Sequence, residues 1–287
     1  MNKATHLRHI LELNLAMLFI STSGVLGRYI ELPVPVTIGL RALFAAIVLF
    51  LYCRWQKMSF NIQSKDRLSI LATGVLMGLH WITYFYALRL SNVAIGMLSL
   101  FTYPVITALL EPMLLKTKFD RSHLLLGGLV VIGVYFLLPV ISFENSITQA
   151  VMLGVLSALF YALRNLILKS KVTNYNGSML MWYQLLIISV FLLPSFYFFE
   201  VSHVKNQWHY LVILAFLTTA VGHTLFLKSF KQFSITTASI ISSTQPIYGI
   251  VLGILVLGEI PKVSTCIGGV LILCSVVIES IRSYKNV

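Results

Sequence analysis

Apolar residues dominate this chain in long runs, broken at near-regular intervals by short polar or turn-forming stretches. Ten such runs lie near residues 11–30, 36–54, 68–90, 92–115, 122–140, 148–169, 177–199, 208–230, 234–257 and 262–282. A helix needs about 20 apolar residues to cross the hydrocarbon core, and a barrel strand only about half that. Lipid offers no partner to an unpaired backbone N–H or C=O, so runs of this length predict transmembrane helices. The breaks carry Pro33 and Pro35, Asn61 to Asp66, Asn92, Phe119 to Ser122, Asn145, Asn174 to Gly177, Asn206 and Pro261, all turn or cap signals. The expected fold is all-α, an integral membrane protein of ten helices.

Composition agrees. The 287 residues are 58% hydrophobic and only 10% charged, with a mean hydropathy of +0.89, which excludes an ordinary soluble surface. A net charge of +12 raises nucleic-acid binding, but the basic residues sit in small clusters between apolar runs rather than on one face. With the N-terminus inside, fifteen Lys and Arg fall in inner segments and four, Arg28, Arg89, Lys205 and Lys262, in outer ones, while Arg41 and Arg164 lie within spans. Basic residues are retained on the cytoplasmic side, so both termini are expected there, in an inner or plasma membrane. The basic, then apolar, opening stretch is read as the first span rather than a cleaved signal, because it continues through Ser21 to Ile30 without a small-residue cleavage site. Cys53, Cys266 and Cys274 lie in apolar segments without C-x-x-C spacing, which implies neither a disulfide framework nor a metal site.

The chain also repeats itself. Asn92 to Leu110 superposes on Ser234 to Leu252 at an offset of 142, setting Thr102 on Thr244 and Pro104 on Pro246; Gly127 matches Gly268 at 141, and His80 matches His223 at 143. Five helices is an odd number, so the second copy enters the membrane from the opposite side, giving an inverted repeat of residues 1–145 and 146–287.

Several of these residues resemble the EamA-type members of the drug/metabolite transporter superfamily. The likeness rests on Arg41 in TIGLRALFAA, on TYP at Thr102 to Pro104 and TQP at Thr244 to Pro246, on LGE at Leu257 to Glu259, and on the Gly-Gly openings of the fifth and tenth helices. It covers essentially the whole chain. Where the second half has Leu257, Gly258 and Glu259, the first has Lys116, Thr117 and Lys118, so no role for the acidic residue carries over to both halves. The resemblance implies an exporter, or less often an importer, of metabolites or drugs, with a central cavity between the halves and no bound cofactor.

Polar residues at helical spacing mark the faces expected to turn inward. They are His80, Trp81 and Tyr84; Ser99, Thr102 and Tyr103; Ser157, Tyr161, Arg164 and Asn165; and Ser239, Ser242, Ser243 and Gln245. Hydroxyls alone serve helix adhesion equally well, whereas aromatic and amide groups beside them point to a cavity that stacks on and hydrogen-bonds a solute. His80 and His223 fall at repeat-equivalent positions, suited either to a buried hydrogen-bond network or to solute contact and proton uptake. Pro104 and Pro246 each remove a helical hydrogen bond, to the carbonyls of Leu100 and Ser242, and are read as kinks that either pack or line the site. Arg41 and Arg164 cost about 3 kcal/mol each to insert. They are expected either to snorkel or pair structurally, or to gate or touch an anion. Glu111 is the carboxylate candidate for proton coupling, with Lys116 as its expected basic neighbour.

Together these features predict a secondary transporter that works by alternating access, whose partners are a small-molecule solute and membrane lipid, not nucleic acid. Monomer and homodimer both remain open. The alternatives are a non-transporting receptor and an integral membrane enzyme. No nucleophile beside a base, metal-ligand cluster or glycine-rich phosphate loop is present to favour the enzyme or intrinsic ATP hydrolysis.

Overall fold

The structure, a computed structural model, describes residues 3–115, 122–202, 204–233, 238 and 241–285. Among these the regular elements are all helical: α1 Lys3–Tyr29, α2 Val34–Trp55, α3 Arg67–Leu90, α4 Val93–Leu100, α5 Tyr103–Leu115, α6 Ser122–Leu137, α7 Ser146–Lys169, α8 Gly177–Phe191, the single turn α9 Ser195–Phe198, α10 Val204–Ile213, α11 Thr224–Ser229, α12 Thr244–Leu257 and α13 Val263–Lys285. A wide π-helical segment, Leu214–His223, joins α10 to α11. Seven stretches are long and apolar enough to cross a membrane, and three shorter apolar helices, His123–Leu137, Thr244–Leu257 and Val263–Ile278, accompany them. Lys116, Thr117, Lys118, Arg121 and Ser239 lie outside the described residues.

Local chemistry explains the boundaries. The Asn92 side chain accepts the Ile95 N–H at the start of α4, Asn145 accepts from Ile147 and Thr148 at α7, and Asn176 accepts from Ser178 at α8, each supplying an acceptor to an otherwise orphaned first-turn donor. Pro35 sits in the first turn of α2, where its missing N–H costs nothing. Gly258 ends α12 with φ +67, a left-handed cap that glycine adopts without steric cost.

Three expected helices are less regular than the apolar runs implied. The fourth run breaks at Phe101 and Thr102, and α5 begins at Tyr103, so Pro104 falls in a first turn rather than bending a continuous rod. The seventh run stops at Phe191 and turns through Leu192 to Pro194 before α9. The eighth widens to π geometry where the Thr218 and Thr219 hydroxyls both bond to the Leu214 carbonyl; such widening recurs at functional sites.

Candidate functional site

Helices α1, α2, α3, α4, α5, α7, the π segment and α12 surround a narrow internal cavity of about 20 Å³, room for about one water molecule. Arg41, His80, Trp81 and Tyr84 come to its lining from the first half of the chain, Tyr161, His223 and Gln245 from the second, and Leu100, Phe101 and Tyr103 from around the break between α4 and α5. Residues about 180 positions apart thus meet at one point.

Arg41 does not snorkel. Its side chain is 1% exposed; Nε donates to Thr219 Oγ1 at 2.7 Å, and Nη2 donates to Thr218 Oγ1 at 3.0 Å. The guanidinium carbon lies 3.9 Å from the centre of the Trp81 ring, a cation–π contact strengthened by the absence of water. Nη1 has no partner. Trp81 Nε1 and His223 Nδ1 are likewise buried without one, and the Trp81 and His223 rings lie 5.5 Å apart.

His80 is held more firmly. Ser157 Oγ donates to the His80 carbonyl at 2.8 Å and is also 2.8 Å from His80 Nδ1. A hydroxyl has one proton, so Nδ1–H is the donor in the second bond, which sets the tautomer. The His80 ring stacks on Tyr161, centroids 4.5 Å apart, and Tyr161 meets Tyr103 edge-on at 4.9 Å.

The other expected site residues go elsewhere. Arg164 is fully buried, but its donors are spent on neutral oxygens: Nε and Nη2 on Gln184 Oε1 at 3.0 and 2.8 Å, and Nη1 on Asn165 Oδ1 at 2.8 Å. This is structural pairing, and neither Arg164 nor Asn165 is among the cavity walls. Ser99 bonds back to the Ile95 carbonyl and packs so closely on α7 that a Cβ on Gly154 would lie 1.9 Å from its Oγ; it joins helices. Ser243 is buried but outside the cavity lining. Pro246, like Pro104, sits in the first turn of a helix, here α12. Glu111 accepts from Lys169 Nζ at 3.4 Å in a partly exposed pair away from the cavity. Thr218, Thr219 and Ser23 were not singled out from the sequence. Hydroxyls are common in membrane helices, and only the position of Arg41 one helix away reveals what the two threonines hold.

A second polar cluster lies at one end of the bundle. Glu259 Oε1 accepts from Arg28 Nε and Oε2 from the Val93 N–H, both at 2.8 Å. Arg28 Nη1 reaches the Arg89 carbonyl at 3.2 Å, and Arg89 Nη2 reaches the carbonyls of Ile30 and Leu32. At the opposite end, Asp66 accepts from Lys171 Nζ at 2.6 Å and the Tyr175 hydroxyl at 2.7 Å.

Buried cation, aromatic walls and a cavity enclosed by apolar helices describe a multi-pass membrane protein with an internal cavity. Residues 8–138 and 148–281 each match the EamA-like transporter family, and the chain belongs to that family. It is similar to an uncharacterised transporter of Archaeoglobus fulgidus, 28% identical over 196 residues, covering 68% of this chain and 70% of that one. It is also similar to the pseudopaline exporter CntI of Pseudomonas aeruginosa, 22% identical over 243 residues and 84% of each chain. The fold is shared with a solved crystal structure at a TM-score of 0.71 and 15% identity, over 96% of this chain and 99% of the other.

Proposed function

We propose that this protein is a secondary transporter of the cytoplasmic membrane that exports a small metabolite or drug-like solute by alternating access. The observation that carries the proposal is the cavity itself, buried, lined by aromatic rings with a few polar groups among them, and walled by both halves of the chain. Export is favoured by the likeness to an exporter along most of the chain. In this reading ten spans form two inverted repeats, 1–145 and 146–287.

The packing pattern supports it. An inverted repeat pairs each helix contact with a counterpart five spans on. Contacts of α1 with α12 correspond to those of α7 with α4 and α5, contacts of α1 with the π segment to those of α7 with α3, and α2 meets α8 as α6 meets α13 across the pseudo-axis.

In proteoliposomes, the purified protein is expected to move at least one solute of a broad metabolite and drug panel, faster under an imposed proton gradient if export is proton-coupled. Failure to move any member would sink the transporter reading. The distribution of Lys and Arg sets the sidedness, both termini inside. A cysteine placed between Phe143 and Ser146, in a background lacking Cys53, Cys266 and Cys274, is therefore expected to react with an impermeant thiol reagent added outside. Labelling only after permeabilisation would reverse the topology.

A further inference from the structure

Arg41 holds a positive charge in the cavity, and no acid among the described residues answers it. Of the nine Asp and Glu residues, seven have described side chains and none of these lines the cavity. The described ion pairs lie elsewhere, at Arg8 and His9 with Glu12, Arg28 with Glu259, Lys169 with Glu111 and Lys171 with Asp66. A guanidinium keeps its charge at neutral pH, and an uncompensated buried charge is costly unless something pairs with it. Arg164, the other buried cation, has donors engaged by three bonds to amide oxygens. Arg41 keeps Nη1 free, and Trp81 Nε1 and His223 Nδ1 stand unpartnered around the same cavity. Indole Nε1 can only donate. Leaving a buried donor unpaired costs about 1–3 kcal/mol, so the cavity is built for an acceptor it does not itself contain.

We infer that the transported solute carries a carboxylate, which binds Arg41 Nη1 and Trp81 Nε1, its organic body lying against the Tyr84, Phe101 and Tyr161 rings once the closed cavity of about 20 Å³ widens in the transport cycle. This rests on the transporter reading and names its substrate class. The charge balance selects a monoanionic group over phosphate. Thr219 takes the Nε hydrogen and Thr218 one Nη2 hydrogen, so the edge formed by Nη1 and the second Nη2 hydrogen remains open, which matches two oxygens sharing one negative charge rather than a dianion with three. Carboxylate oxygens are acceptors only, and charge-assisted bonds to them are about twice as strong as neutral ones. The two threonines position Arg41. Trp81 does double duty, holding the guanidinium on its face and offering its N–H from its edge.

The test uses the full chain in detergent and in proteoliposomes, with acid and amide pairs as probes: benzoate and benzamide, indole-3-acetate and its amide, phenylalanine and phenylalaninamide, succinate and succinamide, with inorganic phosphate alongside. At least one carboxylate is expected to raise the melting temperature saturably and to be transported, its amide binding about tenfold more weakly or worse. Arg41→Gln is expected to abolish that discrimination, Arg41→Lys to retain part of it, and Trp81→Phe to weaken acid binding about fivefold and amide binding less, the loss of one hydrogen bond to a charged and to a neutral acceptor. Should Arg41→Gln fail to fold, Trp81→Phe and Arg41→Lys carry the test. Equal binding of acid and amide, unaltered acid binding in Arg41→Gln, binding of phosphate alone, or absence of binding by every carboxylate overturns the inference. Transport of amides or amines without acids would overturn it while leaving the transporter reading intact, whereas transport of nothing in any class removes both.

Discussion

Gly268→Val is expected to destabilise the purified protein by about 3 kcal/mol, the upper part of the range for overpacking. Gly268 faces Gly133 across the contact between α13 and α6, and a Cβ there would lie 2.5 Å from the Gly133 carbonyl oxygen and 3.1 Å from Phe136 Cβ. The obstacle is backbone, which cannot rotate away as a flexible side chain would. The two helices must separate, and in lipid no hydrophobic force holds them while they do; association rests on close van der Waals packing, which small residues permit. Gly128 supplies the control. Nothing lies within 4 Å of a Cβ built there, so Gly128→Ala is expected to be neutral or to gain the ~1 kcal/mol by which alanine exceeds glycine in a helix. Thermal unfolding in detergent, read by the monodisperse fraction on size exclusion, distinguishes the two. Equal stability of Gly268→Val and the parent would show that α6 and α13 do not pack this way in the membrane.

Glu259→Gln is expected to open the end of the bundle that Arg28 and Glu259 close, increasing labelling of a cysteine placed behind the latch about tenfold. Both side chains are less than one-third exposed, 31% for Arg28 and 17% for Glu259, and hydrogen bonds to a charged group at such a site contribute about 1.5–3 kcal/mol each. Gln retains an acceptor but loses the charge that holds Arg28 and faces the positive N-terminal end of α4 through the Val93 amide. A shift of about 1.4 kcal/mol between closed and open forms is a tenfold change in their ratio. The charge-reversed pair, Arg28→Glu with Glu259→Arg, restores the ion pair without restoring the acceptor for Val93, so it should recover only part of the closure. Unchanged labelling in Glu259→Gln would mean that the cluster is a static brace and that closure lies elsewhere.

Much of this architecture was legible in one dimension because membrane helices obey strict local rules. Run length, asparagines at 92, 145 and within 174–177, and Pro33, Pro35 and Pro261 marked where helices start and stop, since each concerns a backbone group and its neighbours within one turn, whereas Pro104 and Pro246, read as kinks, fall in first turns. Helical spacing also brought His80, Trp81 and Tyr84 to one face, and all three line the cavity. The same spacing placed Ser99 and Tyr103 beside Thr102, yet Tyr103 lines the cavity and Ser99 packs on Gly154. Periodicity names a face but not what that face meets.

The repeat shows the division most clearly. Gly127 and Gly128 correspond in sequence to Gly268 and Gly269, but a Cβ on Gly127 would meet only Leu109 at 3.9 Å while one on Gly268 would lie 2.5 Å from the Gly133 carbonyl oxygen, and one on Gly128 would meet nothing within 4 Å while one on Gly269 would lie 2.9 Å from Leu98. Two arginines, each a lone basic residue in an apolar run, read alike in the chain. In the fold Arg164 is satisfied by Gln184 and Asn165, and Arg41 keeps one edge open beside Trp81. Sequence alone determined that the protein is a helical membrane protein, because burial in lipid and backbone satisfaction depend on consecutive residues, while its likeness to the EamA type rested on the TYP, TQP and LGE motifs. Which charge is answered and which stands open was decided by tertiary structure, because the answering groups come from helices far away along the chain and only their packing sets the distance.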